Sequence, residues 1–193
     1  MTTCQLCEAE IPEGHQVEIQ GKSRRAPNSI ICPNCASDIE QKLQAETENP
    51  NLILAVLAGL ATAVAGTLVW YGVVVITNYQ LGFIAVGVGW LVAMAVVFGS
   101  GRKRGPALQA ISVTITLVAL VMSEYLIVRY SLAEYLAEQG FSEVALFLPL
   151  GAMLELVVAS IRANLFTLIF WAIALWAAFS TPARRRLRRV DQA

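Results

Sequence analysis

Hydropathy along the chain changes regime at Asn51. Before it, apolar residues come in short clusters. Val17-Glu18-Ile19 alternates and Ser29-Ile30-Ile31 is β-branched, with turn-forming residues from Lys22 to Asn28 between them. That pattern predicts a β-hairpin. Ser37-Asp38-Ile39-Glu40 has capping-box spacing and predicts a helix through about Glu46, ended by Pro50. After Asn51 the apolar runs are long and uncharged. Residues 52–77 and 81–99 can each cross a bilayer, and only Asn78-Tyr79-Gln80 separates them, which requires a tight antiparallel hairpin. Gly101-Arg102-Lys103-Arg104-Gly105-Pro106 leads into a third run, 107–128, and a fourth, 164–181, closes the series. The expected fold is an all-α membrane protein, a four-helix transmembrane bundle with a small β-hairpin head.

Residues 131–163 fit this scheme least well. Ser131-Leu132-Ala133-Glu134 matches a capping box and Gly140 a helix stop, which predicts a short surface helix over 132–139. The apolar stretch 144–161 is interrupted by Pro149, Gly151 and Glu155, and only Arg162-Ala163 separates it from the last run, leaving no room for a reversal. The segment is therefore expected outside the cytoplasm as an amphipathic stretch. The last helix is expected to begin near Gly151, run to Thr181, and hold its first turns above the bilayer. A re-entrant 144–163 is the competing reading.

Composition supports the membrane assignment: 56% of the 193 residues are hydrophobic and 15% charged, outside the ordinary soluble range on both counts. Net charge is zero, but the charges are sorted. Residues 1–51 hold eight acids and four bases, and the 182–193 tail holds Arg184, Arg185, Arg186, Arg188 and Arg189 against one acid. With both termini and the 101–106 loop cytoplasmic, that side carries twelve of the fourteen Lys and Arg residues, leaving only Arg129 and Arg162 outside. This satisfies the positive-inside rule, whereas five spans would export the arginine tail. The tail's charge suits anionic lipid headgroups.

The chain has four cysteines, Cys4 and Cys7 in one Cys-x-x-Cys knuckle and Cys32 and Cys35 in another. Four thiolates are what a closed tetrahedral zinc site needs, and a head of about fifty residues buries too little core to dispense with a staple. Twenty-four residues lie between the knuckles, a separation that a long hairpin tip accommodates. Disulfide pairing is the alternative, but thiols kept for metal imply a reducing compartment, which again places the head in the cytosol. His15, the one histidine, is expected in an exposed loop, since four thiolates already fill the shell. Lys22, Arg24 and Arg25 form a small basic tip. The head has no aromatic residue to stack a base and its balance is acidic, which argues against nucleic acid as a partner. The head divides into the metal-binding part, 1–36, and a helical linker, 37–51.

Inside the membrane runs, chemistry is sparse. Ala55/Gly59/Ala63 and Ala85/Gly89/Ala93 are small-residue ladders, expected to pack the first two helices on each other, with a homo-oligomeric contact as the alternative. Glu124, beside Ser123 and Tyr125 and a turn or so from Arg129, is the one acid within a span. It is read either as an interfacial structural group within reach of water or as a proton or cation site. Glu155 and Arg162, seven apart, suit an interfacial ion network. Ser112, Thr114 and Thr116 are expected to bond back to their own helix carbonyls. Trp70, Tyr71, Trp90, Trp171 and Trp176 suit belt or packing roles. No nucleophile–base pair, phosphate loop or His-Glu-x-x-His occurs, so no enzyme is expected.

The Cys4–Cys35 pattern resembles zinc ribbons. The layout, with Tyr79-Gln80-Leu81-Gly82-Phe83-Ile84-Ala85 leading into Gly87 and Gly89, resembles uncharacterised bacterial inner-membrane proteins that join such a ribbon to a small helical membrane domain. The resemblance implies fold and location only, with no activity to carry over. The functional expectation is a membrane-anchored, zinc-stabilised interaction or accessory protein with a protein partner or a second copy. The alternatives are a small oligomeric transporter or channel component and, more remotely, a thiol oxidoreductase.

Overall fold

The computed structural model describes residues 2–12, 14–19, 28–77, 79, 82–140, 149–163, 166–184 and 187. The chain divides into two units, Met1–Asn49 with Arg184–Ala193, and Pro50–Ala183.

In the first unit, β1 (Thr2–Thr3) pairs antiparallel with β2 (Glu10–Ile11), and β3 (Val17–Ile19) with β4 (Ser29–Ile31), in the register Val17↔Ile31. The second pair is the expected hairpin. Its basic tip, with Lys22, Arg24 and Arg25, lies outside the described residues. Helix α1 (Pro33–Ala45) begins earlier than Ser37: the N-cap is Cys32, and Pro33 occupies the first turn. Proline lacks the N–H that a first turn cannot use, so the second knuckle starts the helix itself. The core is small, formed by Cys4, Ile11, Ile31 and Ala36 with flanking aliphatics.

The second unit is helical: α2 (Leu52–Thr77), α3 (Phe83–Gly99), α4 (Pro106–Glu138), α5 (Leu150–Ala163) and α6 (Phe166–Ser180). At 1.5 Å per residue, α2 extends about 39 Å and α4 about 50 Å, against a hydrocarbon core of about 30 Å. These two are long and apolar enough to cross a membrane; α5 and α6 make a third candidate only if counted as one bent span, and α3 is a shorter apolar helix. Leu57, Val64, Leu68 and Ile76 of α2 are exposed, a surface that water would not tolerate but lipid would.

Two expectations are corrected. No separate helix forms over 132–139. Instead α4 runs unbroken to Glu138, with the Ser131 hydroxyl donating back to the Ile127 carbonyl rather than capping a new start. Gly140 does mark the stop, at φ 86°. Nor does one helix run from Gly151 to Thr181: α5 and α6 lie at 106° to each other. The physical reason is in the faces. Glu155 and Arg162 give α5 a polar side and leave Val157 to pack inward, whereas α6 is apolar all round.

Close approach explains the bundle. A Cβ at Gly59 would meet Val96 and Ile115, one at Gly66 would meet Val88, and one at Gly99 the backbone of Leu54 and Ala55. The α2 ladder therefore packs on α3 and α4, as an antiparallel α2–α3 hairpin requires. The α3 ladder does something else: a Cβ at Gly89 would lie 2.6 Å from the Ala174 carbonyl oxygen, so this face is spent on α6. Hydrogen bonds collect one end of the bundle. The Asn51 amide donates to Ser100 O, the Gly105 amide to Pro182 O, and the Arg104 guanidinium to Thr181 O.

Candidate metal centre

Each knuckle is shaped by backbone amides. In the first, Glu8 takes a left-handed conformation (φ 58°) and the Cys4 amide donates to the Ala9 carbonyl, which folds the chain back so that β1 meets β2. The Gln5 amide donates to the Ile30 carbonyl, tying this turn to β4. In the second, the Cys35 amide donates to Cys32 Sγ at 3.4 Å and the Cys32 amide to Cys4 Sγ at 3.3 Å. Amide-to-sulfur bonds of this kind favour thiolates and fix their direction.

The four Sγ atoms all lie within 4.8 Å of one another, and Cys7 Sγ to Cys32 Sγ is 3.7 Å. A tetrahedron of metal–sulfur bonds of about 2.3 Å requires sulfurs roughly 3.8 Å apart, so the cluster fits a single ion. All four cysteines are free thiols, against the disulfide alternative. Amides donating to its sulfur, chiefly that of Cys7, lower the Cys4 thiol from 9.0 to about 6. Cys35 is pushed up to about 12, first by its hydrogen bond with Cys32 and then by that with Cys7. Without metal the cluster thus holds unlike thiols, one readily ionised and one holding its proton. Cys4 is buried and Cys7 exposed. His15 is exposed and lies outside the cluster.

Glu124 differs from its interfacial expectation. It is fully buried, at 0% exposure, and the Ser160 hydroxyl of α5 donates to its Oε1. Sequence gave no signal for Ser160, thirty-six residues away. Beside it, Ser123 donates to the Ala119 carbonyl and to Thr67 Oγ1 of α2. Ser112 and Thr116 do not bond back to their helix. Both hydroxyls are buried without a partner among the described residues, while Thr114 is exposed. Glu155 and Arg162 are both exposed on α5. Of the tail, Arg184 is exposed, and Arg185, Arg186, Arg188 and Arg189 lie outside the described residues.

No family model, curated protein or solved structure matches this chain. The four-thiol cluster is compatible with a zinc ribbon on geometry alone.

Proposed function

We propose that this protein is a non-enzymatic integral membrane protein whose metal-stapled head recruits or stabilises a protein partner. The ion is zinc, the head and both termini are cytoplasmic, and the membrane is a bacterial plasma membrane crossed four times. The observation that carries this reading is the convergence of four thiols on one point. A four-thiolate zinc shell leaves no open position for substrate, so the ion serves folding and the head serves as a surface. The gathering of the start of α2, the 101–105 loop and the end of α6 at one end of the bundle supports an even number of crossings. The tail's arginines then meet anionic headgroups on the same side.

Native mass spectrometry of the full-length protein, extracted gently at native abundance, tests this reading. One bound zinc and a co-purifying second protein would support it. A protein that always purifies without another protein would count against it, and redox-active, zinc-free thiols would return the cysteines to oxidoreductase chemistry.

Burial of Glu124 favours a second reading, an oligomeric transporter or channel component in which this carboxyl meets a proton or cation. Retained flux in Glu124→Ala proteoliposomes would remove its main support.

A further inference from the structure

At the end of the bundle where α3 and α6 begin lies a cavity of about 150 Å³. Trp70, Phe170 and Trp171 wall it, together with Gly82 at the start of α3 and Phe166 and Thr167 in the first turn of α6. Its chemistry is one-sided. Trp70 is 1% exposed and Trp171 8%, yet among the described residues neither indole nitrogen has a hydrogen-bond partner. An indole N–H only donates, and a buried one normally finds an acceptor. The cavity also lies where two helices start. The N-cap of α3, Gly82, offers no side-chain cap, and neither α3 nor α6 has an acid in its first turn. Their leading amides and the positive ends of both helix dipoles are thus unopposed by any carboxylate of their own first turns. Trp70, Trp171, Thr167 and the starts of α3 and α6 border one site, and among the described residues its lining includes no acidic or amide side chain. Among the described lining residues Thr167 Oγ1 is the one side-chain oxygen, and neither indole N–H is paired with it.

Size and surroundings narrow the choice. A cavity of this volume takes a group about as large as one aromatic ring, so it admits a headgroup and excludes a sugar or a peptide. Phe83 and Phe166, the opening residues of the two helices, are 63% and 71% exposed, which leaves apolar surface along which a hydrocarbon chain can lie. Among the described residues no Lys or Arg lines the cavity, so the head is to be held by neutral donors and helix dipoles, as anions commonly are at helix starts.

We propose that this cavity binds the anionic oxygen head of an alkyl amphiphile, with the Trp70 and Trp171 indole N–H groups as its donors and the tail lying along Phe83 and Phe166. A fatty-acid carboxylate and a phospholipid phosphate share this chemistry. The proposal concerns the bundle alone and does not depend on the metal-binding head.

The test uses the full-length protein in detergent, with oleate, oleyl alcohol and dioleoylphosphatidate as probes in equilibrium binding. One oleate per chain is expected, bound on the order of tenfold more tightly than the alcohol, the factor that one good hydrogen bond supplies. Trp70→Phe and Trp171→Phe keep the ring and remove the donor, and each should weaken oleate by a similar factor. Trp176→Phe, exposed and away from the cavity, should not. Phosphatidate binding in place of oleate, with the same sensitivity to both Phe variants, would keep the site and identify its ligand as a phospholipid. In nitrogen-15 tryptophan-labelled wild-type protein, two of the four indole N–H resonances should shift with the bound probe, a readout that does not require the variants to fold. Equal affinity for oleate and its alcohol, or indole resonances unmoved by either anion, would overturn the proposal.

Discussion

The head and the helical body solve the same problem, too little ordinary core, by opposite means. The head brings four side-chain atoms to one point, all within 4.8 Å. The body removes side chains where helices must meet, so that Gly59, Gly89 and Gly99 admit neighbours a Cβ would strike. A metal bound by the four thiols would hold the first by a few strong, titratable bonds, whereas the second is held by many weak contacts over long faces. The difference teaches where each is vulnerable: the head to chelation and acid, the body to a single methyl group in the wrong place.

The largest separation of the two should come from metal removal. Structural zinc contributes on the order of 10 kcal/mol to folding a small domain, more than a core of Cys4, Ile11, Ile31 and Ala36 can replace. Chelation, or Cys4→Ser at the buried ligand, should abolish amide protection across β1–β4 and α1 while α2 and α4 keep theirs in hydrogen exchange. Loss of protection in both units together would mean that they do not fold independently.

Acid should separate them next. Cys4, lowered to about 6, is a thiolate at neutral pH, whereas Cys35, pushed up to about 12, holds its proton until metal displaces it. Binding therefore releases at least the Cys35 proton near neutrality, and affinity must rise with pH and fall with acid. Calorimetry in buffers of differing ionisation enthalpy should report that release, and helix content in the body should not follow metal loss as the pH is lowered. A buffer-independent binding enthalpy would contradict the assignment.

For the body the sharpest contrast is between two glycines of one helix. Gly89→Ala places a methyl 2.6 Å from the Ala174 carbonyl, which is backbone and cannot turn aside, whereas Gly87→Ala meets nothing within 4 Å. Overpacking of this kind costs about 1–3 kcal/mol. Thermal unfolding of the detergent-solubilised protein should fall for the first and stay unchanged or rise slightly for the second. Equal effects would mean that α3 and α6 do not touch at Gly89.

Legibility followed the same division. The four-thiol cluster was readable because knuckle spacing is a local property and its members are the only four cysteines in the chain. The hairpin between them followed from alternation, and the long apolar helices from length and lack of charge. The start of α1 was also local, written in Cys32-Pro33, but the Ser37 capping box competes for it, and a box is only an option the chain can decline. The same holds at Ser131, where a helix already under way absorbed the box. Which neighbour each ladder takes was not legible. Ala85, Gly89 and Ala93 announce a close approach without naming the partner, and the pairing with α6 spans more than eighty residues. The bend between α5 and α6 likewise depends on packing Val157 inward while Glu155 and Arg162 stay out. Burial of Glu124 depends in turn on where α5 comes to lie.

That last dependence gives the smallest and most local prediction. The Ser160–Glu124 hydrogen bond joins the distal part of α4 to α5, a helix that otherwise contributes few fully buried side chains to the core, chiefly Val157. Glu124→Ala removes the acceptor from the half-buried Ser160 hydroxyl of α5, a loss of about 1 kcal/mol. Glu124→Gln retains a carbonyl oxygen to accept from Ser160 and should recover most of it. Because α2, α3 and α6 pack through other residues, the loss should appear as faster amide exchange in α5, with exchange at the centre of α2 unaltered. A Gln variant as damaging as Ala would mean that the negative charge, rather than the acceptor, is what this site requires. Weight would then shift toward the proton or cation reading of Glu124.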